Sequence, residues 1–238
     1  PELLLDADAT DPAATGNAVN GIQLLAAQVL NRDFEGPLAT LKPRPDPVNL
    51  LVHRRYNAEG RTELNIVPGL IGVILTMTMI IFTALAMTRE TERGTMENLL
   101  TMPVRPFEVM LGKILPYIII GYIQTAVVLA AAYWLFEVPM TGSLGLLSFV
   151  LFFFVAANLA VGFTFSTLAR NQLQAVQMTI FFFLPSILLS GFMFPFRGMP
   201  VWAQWIGEVL PLTHFLRIVR GILLKGNGMT EIAPDLLA

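Results

Sequence analysis

Residues 88–113 read TRETERGTMENLLTMPVRPFEVMLGK. Four basic side chains (Arg89, Arg93, Arg105, Lys113) and four acidic ones (Glu90, Glu92, Glu97, Glu108) crowd this stretch. On either side the chain is uncharged, from Leu64 to Thr88 and from Ile114 to Phe136. About 20 apolar residues carry a helix across about 30 Å of hydrocarbon, so both flanks are long enough to span a bilayer. The charged element between them belongs in water, against lipid headgroups or against a soluble partner. Met96, Leu99 and Leu100 share one face of a short helix, with Glu97 and Asn98 elsewhere around it. Pro103 ends that helix, Pro106 blocks another start, and Gly94 marks the bend before it. Glu90 and Arg93, three apart, are spaced to pair on a helix surface. A connector lying flat on the membrane and a docking point account for these residues equally well.

Composition agrees with the membrane reading. The chain has 238 residues, 55% hydrophobic and 13% charged, with a mean hydropathy of +0.65. Soluble domains carry about a quarter charged residues. A net charge of −2 gives no sign of a nucleic-acid partner. With no cysteine, disulfides, thiolate catalysis and cysteine metal sites are excluded. Pro1 stands where Met would, and the chain turns apolar again at Asp235-Leu236-Leu237-Ala238. The expectation is a chain trimmed at both ends, with further spans before and after.

Four uncharged stretches, 64–88, 114–136, 138–169 and 171–196, place spans near 66–87, 114–135, 144–168 and 174–195. Pro68 and Pro116 are expected near helix starts, where a missing N–H is tolerated, and Pro185 mid-span, where it kinks. Gln124, Asn158, Gln174 and Gln177 are the polar residues inside the spans. Bonding across helices accounts for them better than a substrate path does. No Asp, Glu, Lys or Arg lies in a span core, which argues against an ion-coupled pump. Energy must enter from elsewhere.

Beyond the spans, residues 196–225 are apolar but carry Glu208, His214, Arg217 and Arg220. Pro200 and Pro211 split the segment into two short helices. One face holds Leu212, Phe215, Leu216, Val219 and Leu223, and Trp202 and Trp205 are residues of the membrane interface. A helical hairpin lying at the bilayer edge is expected. Residues 1–63 differ in character and read as a small α/β domain. Leu3 to Leu5 and Val48 to Val52 are short strands. Asp11-Pro12 starts a helix whose apolar face is Val19, Ile22, Leu25, Ala26, Val29 and Leu30. Residues 42–47, KPRPDP, form an extended linker. Asp6, Asp8 and Asp11 are better read as caps than as a cation site, because the glycine and distal Glu of a calcium loop are missing. A unit this small needs company to bury its core.

The charged stretch resembles the cytoplasmic loop of ABC type-2 transporter permeases. Glu92, Arg93, Gly94, Thr95, Glu97, Leu99, Leu100, Pro103, Glu108, Gly112 and Lys113 carry the match, in order. Residues 65–70, NIVPGL, are similar to the start of that family's second span, and residues 194–226 to its re-entrant external helices. Residues 5–30 are similar to its external domain. The resemblance implies a mainly α membrane protein with four of the family's six spans, the first and sixth lying outside this chain. It implies an extracytoplasmic α/β domain over 1–63 and a permease domain over 64–238, with the loop at 88–113. The multi-pass protein would sit in the bacterial inner membrane.

In function, the resemblance implies an exporter subunit of drug or multidrug efflux type. A separate ATP-binding cassette ATPase subunit would dock on the loop through Glu92, Arg93, Gly94, Thr95, Glu97, Leu99 and Leu100. A second permease copy or paralogue would complete a dimer. A periplasmic adaptor and membrane lipid are further expected contacts. With no G-x-x-x-x-G-K-[ST] loop in the chain, ATP would be bound by the partner, and no cofactor or metal is expected on this subunit. The Lys and Arg count runs the other way. With the loop cytoplasmic, Arg89, Arg93, Arg105, Lys113 and Arg170 lie inside and the remaining ten outside. The motif outweighs the count. The alternative function is a non-transporting membrane scaffold or sensor that binds an adaptor through its external domain. A membrane enzyme fits poorly, since His53 and His214 are the only histidines and no H-E-x-x-H or G-x-S-x-G occurs.

Overall fold

The computed structural model describes residues 2–10, 12–32, 49–57, 59–94 and 106–237. The chain divides into two compact units, residues 1–65 and 66–238.

In the first unit, strands β1 (Glu2–Asp8) and β2 (Asn49–Arg55) pair in parallel, in register from Glu2 opposite Asn49 to Asp8 opposite Arg55. Helix α1 (Pro12–Arg32) connects them in sequence. The second strand runs three residues past the expected Val52, and Val48 lies outside the described residues. Asp6 bonds the Arg55 guanidinium at 2.9 Å and lies 3.4 Å from His53. Asp8 accepts bonds from the Thr10 backbone and hydroxyl at 3.1 and 2.8 Å. Both carboxylates are thus engaged by protein groups, while Asp11 lies outside the described residues.

The expected apolar face of α1 is only partly buried. Val19 is 5% exposed, but Ile22 is 39% and Leu25 60% exposed; the side chains of Val29 and Leu30 lie outside the described ones. Among the described residues the sheet of this unit has two strands, little surface against which a helix can bury an apolar face.

The second unit is helical, and four helices are long and apolar enough to cross a membrane. They are α2 (Glu63–Glu92), α3 (Pro106–Phe136), α4 (Leu144–Leu168) and α5 (Gln172–Leu189). Several boundaries differ from the sequence reading. The first two helices run into the charged stretch, ending at Glu92 and restarting at Pro106, because Glu, Arg, Met and Leu all support helix in water as well as in lipid. Pro68 and Pro116 consequently lie inside helices rather than in first turns. The fourth span stops at Leu189, not at 195. Ser190 caps it through its N–H to the Ser186 carbonyl, and Gly191 takes φ +85°, a conformation glycine adopts without strain.

Helix α4 is the centre of the bundle. Its buried positions Leu147, Val150, Leu151, Phe154, Val155, Asn158, Leu159 and Gly162 recur at helical spacing, and it packs on α3, α5 and α7. By contrast α3 exposes Leu115, Ile119, Ile123 and Val127 as one stripe, with Tyr133 and Trp134 exposed near its end. Such a stripe ending in aromatics is suited to lipid and its interface.

The polar residues mostly stay local. Gln124 of α3 accepts a bond from Thr78 of α2 at 2.9 Å, so it does bridge helices. Asn158 turns back on its own helix, to the Phe154 carbonyl at 2.8 Å. Gln174 accepts from the Arg170 N–H while Asn171 accepts from the Gln174 N–H, a reciprocal helix cap. Gln177 is exposed.

After Gly191 come a 3-10 turn (Phe196–Gly198), α6 (Val201–Glu208), α7 (Pro211–Arg220), a π-helical turn (Gly221–Lys225) and α8 (Met229–Leu237). Leu212, Phe215, Leu216, Val219 and Leu223 do share one face, but it is buried in the helical bundle rather than laid on the bilayer edge as expected, because α4 offers it a matching apolar surface. Phe215 stacks on Phe154 of α4 with ring centroids 3.9 Å apart. The helix α6 does the opposite and exposes Val201, Trp202, Trp205 and Ile206.

Arg217 ties this region together. Its guanidinium makes two bonds to Glu208, at 2.6 and 3.1 Å, a third to Asp235 at 3.3 Å, and lies 4.6 Å from the centroid of the Phe196 ring. His214 adds a bond from Nε2–H to the Glu208 carbonyl at 2.7 Å. The bonds from Arg217 hold the Glu208 carboxyl below its ordinary value, against the opposing effect of burial. A depressed carboxyl contributes stability above the unfolded value of about 4.3 and loses it as pH falls through the folded one. Thermal melts are therefore expected to show the wild type losing stability more steeply than Glu208→Gln as pH drops below about 4.3. Parallel pH curves for the two would place this bond outside the stability of the fold.

Candidate functional site

The charged end of the bundle is built from the last turn of α2, the first part of α3 and the turn between α4 and α5. Thr83, Thr88 and Thr91 each bond the carbonyl four residues back, which lets these hydroxyls stay inside an apolar helix. The helix then stops. The Gly94 N–H bonds the Thr91 carbonyl at 3.2 Å, the Arg93 N–H bonds the Arg89 carbonyl at 3.1 Å, and Gly94 takes φ +67°. A left-handed glycine is the common way to end a helix, and the bend expected at Gly94 is present.

Among the residues expected in the docking loop, Glu92, Arg93 and Gly94 are placed. Thr95, Glu97, Leu99 and Leu100 lie outside the described residues, as do Met96, Asn98 and Pro103. Glu92 has a partner 80 residues away. Its carboxylate accepts a bond from the Gln172 backbone N–H at 2.8 Å and a second from the Gln172 side-chain amide. Gln172 is the first residue of α5, where backbone N–H groups have no partner within the helix and the helix dipole favours negative charge. Glu92 is in effect a remote cap on α5.

Glu90 makes a second tie. Arg93 was expected as its partner, but the carboxylate forms an ion pair with Lys113 of α3. Across helices, the ammonium can reach the carboxylate from the side while both stay half-buried. The Lys113 ammonium also lies 3.7 Å from the Met87 sulfur. Both rims of the 95–105 segment are therefore anchored: the α2 rim to α5 through Glu92, and the α3 rim to α2 through Lys113.

Gln172 and Lys113 were not among the expected loop contacts. The Asn171…Gln174 cap is a visible helix-start signal, but nothing in the local pattern links it to Glu92. Among the described residues no group of three His, Asp or Glu is placed to hold a metal ion.

Comparison with known proteins decides the family. The model of the ABC-2 type transporter family matches residues 47–224. The chain belongs to that family. It is 34% identical over 212 residues to the probable multidrug ABC transporter permease YbhR of Escherichia coli K12, covering 88% of this chain and 58% of the relative. It is 30% identical over 250 residues to the inner membrane transport permease YhhJ of the same organism, covering 100% of this chain and 63% of the relative. A more distant relative is ABC transporter G family member 20 of Dictyostelium discoideum, 26% identical over 68% of this chain and 22% of that protein. The chain thus spans less than two thirds of the relatives it matches. No solved structure matches it. As an ABC-2 permease with four candidate spans, it is a multi-pass membrane protein.

Proposed function

We propose that this ABC-2 permease chain is the transmembrane part of an ATP-driven exporter of the bacterial inner membrane, and that the 88–113 stretch receives a separate ATP-binding cassette ATPase subunit. Two permeases, identical or paralogous, pair to form the pathway. The single observation that carries the reading is the double anchoring of the loop rims. Glu92 hands a displacement of the loop to α5, and the Glu90–Lys113 pair hands it to α2 and α3 together. A loop with loose rims would absorb a push; this one passes it on.

Closure of an ATPase dimer shifts the permease between states of different access only if its contact differs between them. The contact falls on Thr95, Glu97, Leu99 and Leu100, with Glu92, Arg93 and Gly94 as the stiff base. On this reading the 1–63 domain and the 196–225 hairpin lie on the opposite, external side. There Trp202 and Trp205 meet the membrane interface and the small domain meets a periplasmic adaptor. Relatives named as multidrug permeases make a drug- or lipid-like cargo the leading class.

The test is purification of the full-length protein in mild detergent, followed by an ATPase assay on what co-purifies. An ATP-hydrolysing subunit should be present with the wild type and be released by Glu97→Lys. If no ATPase co-purifies, or if Glu97→Lys retains it fully, the docking assignment fails.

A further inference from the structure

A cavity of about 500 Å³ lies between α2, α3 and α4, beside the Glu90–Lys113 pair. That volume is typical of sites for small ligands. Its walls come from three helices at helical spacing: Thr83 and Met87 from α2, Tyr117 from α3, and Leu159 and Phe163 from α4. Small side chains explain the space. Ala86, Ala156 and Ala160 face it where larger residues would close it. Ala160 and Thr164 are exposed, so the cavity opens on the surface of the four spans of this chain.

The polar groups gather at one end. Glu90 and Lys113 are 31% and 23% exposed and paired, Tyr117 lies one helical turn beyond Lys113 on the same face, and the Met87 sulfur is 3.7 Å from the ammonium. A carboxylate flanked by an aromatic ring and a polarisable sulfur, with a second ring at Phe163, is the chemistry that holds an organic cation. The cation already there is Lys113. Its four-carbon stem is flexible and its ammonium strongly hydrated, so at the end of a span it can swing out to the headgroup layer. Glu90 cannot follow, because its stem is two methylenes shorter, and a half-buried carboxylate needs a positive partner.

We propose that this cavity binds a lipophilic cation, whose charge replaces the Lys113 ammonium at Glu90 while its apolar body fills the space between α2, α3 and α4. Lys113 is a built-in competitor. It keeps Glu90 neutralised when the site is empty and raises the concentration of ligand needed to fill it. The site is read by binding alone and does not depend on the exporter assignment.

Two ions of the same shape and opposite charge, tetraphenylphosphonium and tetraphenylborate, test this with the full-length protein in lipid nanodiscs by equilibrium dialysis. Protein-free nanodiscs supply the partition baseline. Saturable binding of the phosphonium above that baseline is expected, weakened tenfold or more by Glu90→Gln and tightened several-fold by Lys113→Met. Ala160→Trp, at an exposed wall position, should block binding without disturbing the buried core; it keeps the test decisive if Glu90→Gln fails to fold. Saturable binding of the borate instead, lost in Lys113→Met, would make this an anion site and overturn the proposal. Equal uptake of both ions at the level of empty nanodiscs would overturn it too. So would phosphonium binding that is indifferent to Glu90→Gln and Ala160→Trp.

Discussion

Replacing Gly162 by leucine is expected to abolish recovery of a monodisperse, folded protein. A Cβ at this position would stand 2.7 Å from the Ile80 carbonyl oxygen, 2.9 Å from Thr83 Cβ and 3.1 Å from Ile80 Cα. Two of these three atoms belong to the α2 backbone, which gives way only if the helix itself moves. The third belongs to Thr83, whose hydroxyl is committed to the Met79 carbonyl at 2.8 Å. The substitution must therefore push α2 from α4, and with it the central packing of the bundle.

In lipid this matters more than the lost area suggests. Helices in a bilayer gain little from hiding apolar surface, since the tails are equally apolar, and they associate through close packing at small residues. Overpacking a well-fitted core costs about 1–3 kcal/mol for added methylenes, so Gly162→Ala should already lower the melting temperature measurably. Gly145 is the control. It lies on the same helix, where an added Cβ meets only the Ser143 hydroxyl at 3.6 Å, and Gly145→Ala should change stability by less than about 0.5 kcal/mol. Gly162→Leu that purifies with an unchanged melting temperature would show that the two backbones do not touch.

The second large effect is expected from Glu92→Lys, read as transport by the full-length permease together with its ATPase. Lysine removes both bonds to Gln172 and sets a positive charge against the N-terminus of α5, where the helix dipole is already positive. Transport should fall tenfold or more while the ATPase subunit still co-purifies, because on the proposed reading Glu92 braces the docking residues and does not itself hold the partner. Gly94→Val should act in the same direction. A β-branched residue at φ +67° is strained by about 1–3 kcal/mol, and relief of that strain would unwind the end of α2 and release Glu92. Glu92→Gln keeps one acceptor and should be intermediate. Normal transport by Glu92→Lys would remove the Glu92–Gln172 bond from the transmission path, whatever docks on the loop.

Much of this protein is legible in its amino-acid sequence. Run length and the absence of charge dictate the four spans, because only a helix satisfies its own backbone in lipid. The order of special residues in 88–113 pointed to the family, and the spacing of Leu212, Phe215, Leu216, Val219 and Leu223 showed one apolar face along α7 and the turn after it, though not that α4 would cover it. Proline and glycine placed the breaks at Gly94, Pro200 and Pro211, since their backbone preferences act locally.

What the sequence could not supply is which distant residues meet. Glu90 has an arginine three positions away, yet it pairs with a lysine from the next helix. Glu92 caps a helix that starts 80 residues later. Gly162 looks like any other glycine in an apolar run until α2 lies against it. Ile22 and Leu25 of the α1 apolar face stay exposed, because a two-stranded sheet offers little surface to bury them. Hydrophobicity and propensity are properties of a residue and its near neighbours. A bond, a close approach or a cavity between helices is a property of their relative placement. Only the tertiary fold decides that.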